Sequence, residues 1–297
     1  MTTTPIEPLV ERLLAGEPLS RDDREALAAS RDLLVLGMAA DTVRRRRHGD
    51  QVTFGRVALV PVDRAAAGDV HLKGSPGEVR LVGEAHDLDQ MLDATRAATR
   101  AAAGVAVTGF SLADLARTAG GPERLPALLT ALAGAGLTAV ADAPLDRLDD
   151  PAAALTAARE AGLPVARLSV ERSELGAVAV VDAAAALVAG FPEIVAFAPL
   201  PSRLTGTAPT TGYGDVHLVA LARLLVPVPH IQVDWRQYGP KLAQVALTFG
   251  ADDLDSVSPD DEVVEGRRRS PLEEVRRNIL AASSRPVERG PLAGASR

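Results

Sequence analysis

The sequence predicts an α/β fold, a (β/α)8 barrel of the TIM type, on three observations. Eight short apolar runs recur along the chain, and most of the gaps after the second run carry helical periodicity. The core is built from small aliphatics. Hydrophobic residues make up 47% of the 297 residues, alanine, valine and leucine lead them, and aromatics are only 3%. Such a core suits helices packed closely on a parallel sheet, whose buried strands read as short apolar runs. A doubly wound open sheet is the alternative, because a count of strands does not prove closure.

The first 50 residues read as a helical segment. Leu9, Leu13 and Leu14 share one face, and Ser20-Arg21-Asp22-Asp23 is a capping start for a second helix. Leu33 to Val43 continues as a longer amphipathic stretch that ends near Gly49. The basic run Arg44–Arg47 lies at its end, where it interacts with the last carbonyls and solvent, the alternative being RNA or phosphate.

The barrel is expected over residues 51–285, with a C-terminal tail at 286–297. Its strands are expected at Val57–Val62, Val79–Val82, Val105–Val107, Leu137–Ala141, Val165–Leu168, Ile194–Ala198, His230–Val233 and Asp253–Val257. The intervening helices are expected over 88–103, 122–135, 150–161, 173–189, 215–225 and 238–249. Repeated strand–helix units imply parallel strands joined by right-handed crossovers. One gap breaks the pattern. The 16 residues between Val62 and Val79 are rich in Gly, Ala and Pro and too few for a full crossover helix with two loops. The first crossover is therefore read as truncated, or replaced by a hairpin in which Val70-His71-Leu72 pairs beside Val57–Val62.

Composition excludes several functions. The net charge of −7 argues against a general nucleic-acid binder. There is no cysteine, which removes disulfides, cysteine-ligated zinc, thiol nucleophiles and a conventional 4Fe-4S site. No stretch reaches the roughly 20 apolar residues of a membrane span, and Met1 to Ser20 lacks the apolar region of a secretory signal. A cytoplasmic location without membrane contact is the expectation. No G-x-x-x-x-G-K-[ST] or H-E-x-x-H pattern is present.

Several stretches together resemble the radical-SAM family of aminofutalosine synthase, dehypoxanthine futalosine cyclase and the FO synthase subunits. The most specific is Pro229-His230-Ile231-Gln232-Val233-Asp234-Trp235 followed by Leu242-Ala243-Gln244-Val245-Ala246-Leu247-Thr248-Phe249-Gly250-Ala251-Asp252-Asp253-Leu254-Asp255. Val79 to His86, Phe197-Ala198-Pro199-Leu200-Pro201 and Pro286-Val287-Glu288-Arg289 are similar to further strand ends and to the C-terminus of that family. The likeness runs from roughly Leu19 to Gly290. It implies a barrel of the radical-SAM kind, with a link to menaquinone synthesis by the futalosine route. The departures concern the chemistry. The family carries C-x-x-x-C-x-x-C after its first strand, where this chain has the short, cysteine-free Val62–Glu78 loop with only Asp63 and His71 as ligand types. The family's Gly-Gly after the second strand is Gly83-Glu84 here. Its segment after the fourth strand, which lies near S-adenosylmethionine, is replaced by Ala139 to Pro144, which weakens the case for binding that cofactor. The 4Fe-4S cluster and the radical reaction are expected to be absent, and no other cofactor or metal is expected.

Chemistry in a barrel sits at the C-terminal ends of the strands. Glu84 and His86 fall there, either as an acid–base pair or as a loop that caps the next helix. Asp253 and Asp255 alternate onto one face of the last strand, possible inward ligands for a ribose hydroxyl, a cation or an amine, and Asp252 adjoins them. The alternative is a structural pairing with an arginine. His230 starts the seventh strand and reads as structural. Asp234 and Trp235 end it, where the tryptophan either stacks on a flat ring or simply packs. Arg203, in the loop after the sixth strand, is read as a carboxylate or phosphate ligand or as a solvated arginine. Two readings follow. In one the chain is a non-radical pseudoenzyme, or an assembly partner of a radical-SAM homologue or of itself. In the other it is a repurposed enzyme or binder that holds a nucleoside-like or chorismate-derived molecule in a polar barrel cavity.

Overall fold

The computed structural model describes residues 6–170, 176–201, 212–263 and 268–292. Three helices open the chain: α1 (Glu7–Leu14), α2 (Arg21–Ala29) and α3 (Leu33–His48). Ser20 caps α2 through a reciprocal pair with Asp23, as its sequence signature requires. Then follow β1 (Gln51–Pro61), α4 (Val62–Ala66), β2 (Glu78–Val82), α5 (Leu88–Ala102), β3 (Val107–Ser111), α6 (Leu112–Ala119), α7 (Leu125–Ala135) and β4 (Ala139–Pro144). The second half runs α8 (Pro151–Glu160), β5 (Arg167–Val170), α9 (Ala177–Gly190), β6 (Ala196–Pro199), α10 (Tyr213–Leu225), β7 (His230–Asp234), α11 (Trp235–Thr248) and β8 (Asp253–Val257). It ends with α12 (Pro271–Ala281) and β9 (Arg285–Arg289).

Strands β1 to β8 pair in parallel around a ring, and the β1–β2 pairing closes it, which decides for the barrel over the open sheet. Strands β3 to β6 begin two residues later than the apolar runs suggest, β7 and β8 begin where the runs do, and β1 and β2 begin earlier. Leu137, Val165 and Ile194 are buried but lie in the turns that feed β4, β5 and β6. An apolar run marks burial, and burial starts before hydrogen-bonded pairing does.

The first crossover is truncated. Its helix, α4, has five residues. Val70-His71-Leu72 forms no strand, contrary to the hairpin expectation, because β1 has no free edge. Residues 57–61 pair with β2, residues 51–55 with β9, and the other side with β8. The loop instead packs on the chain after β8. A Cβ on Gly74, whose φ is +64°, would stand 1.9 Å from the Pro259 carbonyl oxygen.

The expected C-terminal tail is part of the barrel. β9 runs parallel to β1 and fills the gap beneath β2. Arg289 reaches the barrel interior from it, and Leu292 borders a small cavity of about 20 Å³ shared with Glu78, Arg80, Thr108 and Arg167. Gly55 leaves room for that arginine, since a Cβ there would lie 2.7 Å from its Nη1.

The basic run at the end of α3 divides between its own helix, where Arg44 and Arg45 pair with Asp41, and neighbouring segments. Arg44 is fully buried against Asp41, Arg46 donates to the Leu14 carbonyl, and Arg47 donates to the Val228 carbonyl. No helix among the described residues is long and apolar enough to cross a membrane.

Candidate functional site

Inside the barrel, polar residues of β2, β5, β7 and β8 occupy positions where a core of branched aliphatics is usual. Asp255 accepts from Arg80 (2.5 Å), Arg167 (2.7 Å) and Arg289 (3.2 Å). Asp253 accepts two bonds from Arg289 (2.6 and 2.8 Å), one from Gln232 (2.6 Å) and one from Thr53 (2.5 Å). Glu78 accepts from Arg80 (2.8 Å) and Thr108 (2.6 Å). Three arginines face three carboxylates, so the network is formally neutral. Burial alone would raise the Asp255 carboxyl, but Arg80 and Arg167 beside it hold it well below the usual carboxylate range. The same network holds Arg80 and Arg289 firmly charged despite their burial.

This network is the floor of a cavity of about 870 Å³ at the C-terminal ends of the strands. Arg80 and Arg167 show one side to it, and Arg147 and Arg236 stand on its wall. Four carboxylates, Glu84, Asp114, Asp142 and Asp234, also line it, so the described lining is charge-balanced. Arg147 pairs with Asp114 at 2.6 Å. Ser169 donates to Asp142 at 2.5 Å, and Ser256 donates to Asp234 at 2.7 Å. Two non-glycine residues on the rim, Phe110 and Ser256, have φ of 56° and 59°. Such conformations cost about 1–2 kcal/mol each and gather at functional sites. A second cavity of about 580 Å³ adjoins the first through Leu59, Arg236 and Ser256, and Trp235, Lys73 and His71 line it.

The expected site residues fall in four places. Glu84 and Asp234 line the main cavity. Asp234 also caps α11, accepting from the backbone N–H groups of Arg236 and Gln237 at 2.9 Å each. Trp235, nearly buried, lines the second cavity. Asp253 and Asp255 point inward as their alternation requires, but arginines hold both, which is the structural alternative. Asp252 lies on the other side of β8, against Arg223, His230 and the Ile231 backbone N–H. His86 does not pair with Glu84. It is exposed in the turn before α5, where its N–H donates to Gln90. Arg203 lies outside the described residues. Arg80, Arg167, Asp142, Arg147, Ser169 and Ser256 were not singled out from the sequence, and they are half of the twelve polar residues that line the main cavity.

No family profile matches the chain. Among curated proteins, the chain is 37% identical over 84 residues to a 5-amino-6-(D-ribitylamino)uracil–L-tyrosine 4-hydroxyphenyl transferase of Methanosarcina barkeri, a match covering 25% of this chain and 22% of that protein. It is 38% identical over 90 residues to the aminodeoxyfutalosine synthase of Thermus thermophilus, covering 28% and 24%. It is 31% identical over 97 residues to the cyclic dehypoxanthine futalosine synthase of Streptomyces coelicolor, covering 31% and 24%. The matches thus span about a quarter of the length of these relatives. Among solved structures, methylornithine synthase superposes with a TM-score of 0.65 at 16% identity over 94% of this chain and 97% of that one. The FeFe-hydrogenase maturase HydG of Carboxydothermus hydrogenoformans gives 0.63 at 14% identity, over 95% and 79%. These structures share the barrel fold. Over these stretches the chain is similar to futalosine-type enzymes, in keeping with the radical-SAM resemblance of its sequence.

The residues after β1 do not fit the iron–sulfur cluster of the radical-SAM family that the sequence resembles. The chain has no thiolate to offer. His71 and Asp69 in that loop are bound to each other at 2.8 Å and are largely exposed. Besides alanine and glycine, α4 and the loop behind it carry Asp63, Arg64 and Lys73, and Arg64 also holds Asp69 at 2.5 Å, which leaves no donor set for a three-iron anchor.

Proposed function

We propose that this chain performs no radical chemistry and uses the barrel mouth to bind a small polar molecule of the futalosine route to menaquinone. One observation carries the reading: the 870 Å³ cavity is polar, open at the catalytic end of the barrel and charge-balanced. A pure scaffold would gain more by filling that space with aliphatic side chains, as burial of apolar surface outweighs buried ion pairs. The balance of charge also selects the ligand. Arg80, Arg147 and Arg167 each already have a carboxylate partner, so little positive charge is left for a phosphate chain. Asp142 and Glu84 keep acceptor oxygens for hydroxyls. A nucleoside, a ribityl-bearing ring or a singly charged chorismate-derived acid suits such a surface better than a nucleotide. The names of the relatives point to the same class, through aminodeoxyfutalosine and 5-amino-6-(D-ribitylamino)uracil.

The test is a calorimetric and thermal-shift panel on the full chain with these compounds, dehypoxanthine futalosine and S-adenosylmethionine. One ribosyl or ribityl compound should bind, and Asp142→Asn and Ser169→Ala should each weaken it about tenfold, the loss of one good hydrogen bond. Absence of binding across the panel, or variants that bind as well as the parent, would refute the reading.

A second reading has its own observation. Leu34 and Met38, one turn apart on α3, are 71% and 64% exposed. They favour a non-catalytic partner role, toward a radical-SAM homologue or a second copy. Light scattering of the chain alone and mixed with such a homologue decides it.

A further inference from the structure

We propose that the opposite, N-terminal end of the barrel carries a divalent transition-metal site made by His48, His230 and Asp252. The three residues come from the end of α3, the start of β7 and the turn before β8. One ligand atom from each lies within 4.8 Å of the others. His230 Nδ1 is 2.6 Å and His48 Nε2 is 3.3 Å from the same Asp252 oxygen, Oδ2. In a tetrahedral site with bonds of about 2.0–2.1 Å, ligand atoms stand roughly 3.3 Å apart. His48 stands at that spacing from Oδ2, His230 stands about 0.7 Å inside it, and the two imidazole nitrogens lie no more than about 1.5 Å beyond it.

The carboxylate is oriented from behind. Its Oδ1 accepts from the Ile231 N–H at 2.9 Å and from Arg223, which leaves Oδ2 aimed at both imidazoles. Support of this kind fixes the ligands of metal sites. Asp252 is only 2% exposed, whereas the two histidine side chains are 21% and 26% exposed, so an ion and its water reach the site from solvent. The rings lie 5.1 Å apart and 22° from parallel, on one side of the carboxylate.

Two imidazoles and one carboxylate suit zinc, nickel or copper and not calcium or magnesium. On binding, the ion takes one lone pair from each of two neutral imidazoles and one from the carboxylate; the proton that His230 Nδ1 now shares with Asp252 and the one that His48 Nε2 turns toward the Pro229 carbonyl at 2.9 Å move to the other nitrogen of each ring by exchange with solvent. Arg223 and Arg47 nearby add positive charge, which weakens the binding of a cation. The ion joins α3 to β7 and β8 and so clips the N-terminal helical segment to the barrel. Its place at the end away from the cavity makes it a stability site.

The experiment is a titration of the full-length chain, made without a polyhistidine tag, with Zn²⁺ and Co²⁺. The site predicts one equivalent bound and a melting temperature raised by roughly 5 °C at a hundredfold excess over Kd. His48→Gln and His230→Gln should each weaken binding at least about tenfold, one ligand lost of three. His71→Ala, at the exposed pair with Asp69, should change nothing. Failure of the parent to bind, or loss of binding on His71→Ala with the other two variants unaffected, overturns the proposal. If the variants do not fold, pulsed electron paramagnetic resonance of the Cu²⁺-loaded parent decides. Two coupled imidazoles support the site, and one or none overturns it.

Discussion

Arg80 stands between Val79 and Leu81, and its guanidinium is buried against Glu78 and Asp255. Each charged residue of this kind sits in a polar–apolar–polar triplet: Glu78-Val79-Arg80, Arg167-Leu168-Ser169, Gln232-Val233-Asp234 and Asp253-Leu254-Asp255. Val79, Leu168, Val233 and Leu254 are fully buried on the outer side, under the helices, while their neighbours face inward. Removing one partner from such a network leaves an uncompensated buried charge. Arg289→Ala should therefore cost about 3 kcal/mol in urea unfolding. Gly55→Ala, whose Cβ would displace the same guanidinium, should cost about 1–3 kcal/mol. The acid limb of stability follows from Asp255, whose folded-state value is depressed. Its contribution is complete above the unfolded carboxyl value of about 4 and is lost as pH falls through the lower folded value. Urea midpoints should fall steeply below about pH 4, and less steeply in Asp255→Asn. The triplets were legible as sequence, and Asp253 and Asp255 were read inward correctly. Arg80 and Arg167 were passed over because an apolar run was read by its average. The period-two alternation of charge inside a strand was the signal to follow.

At the scale of elements, the strand–helix alternation identified the barrel, because each repeat states its own period. What the alternation could not state is pairing. β9 is a strand only because β1 offers an edge beneath β2, a contact between residues more than 230 positions apart. The same occupied edge is why Val70-His71-Leu72 stays a loop. The tail thus carries Arg289 into the core and closes the barrel floor. Removal of residues 285–297 should destabilise the chain by more than Arg289→Ala alone, since pairing with β1 is lost as well, and hydrogen exchange should show β1 and β2 opening first.

At the scale of the molecule, the chain has no cysteine to anchor a cluster, yet a cavity of about 870 Å³ opens at the barrel mouth. The position of a mouth was legible from the fold, because barrels place function at the C-terminal strand ends. Its character was not, because Asp142, Arg147 and Ser169 come from separate turns and acquire meaning only when the ring closes. The most direct measurement takes the full chain through anaerobic iron–sulfur reconstitution. Iron is then assayed, and aminodeoxyfutalosine and its relatives are titrated by calorimetry. The account predicts no stoichiometric iron and saturable binding of one ribosyl or ribityl compound at the mouth. Stoichiometric iron, or a protein that binds none of them, would contradict it.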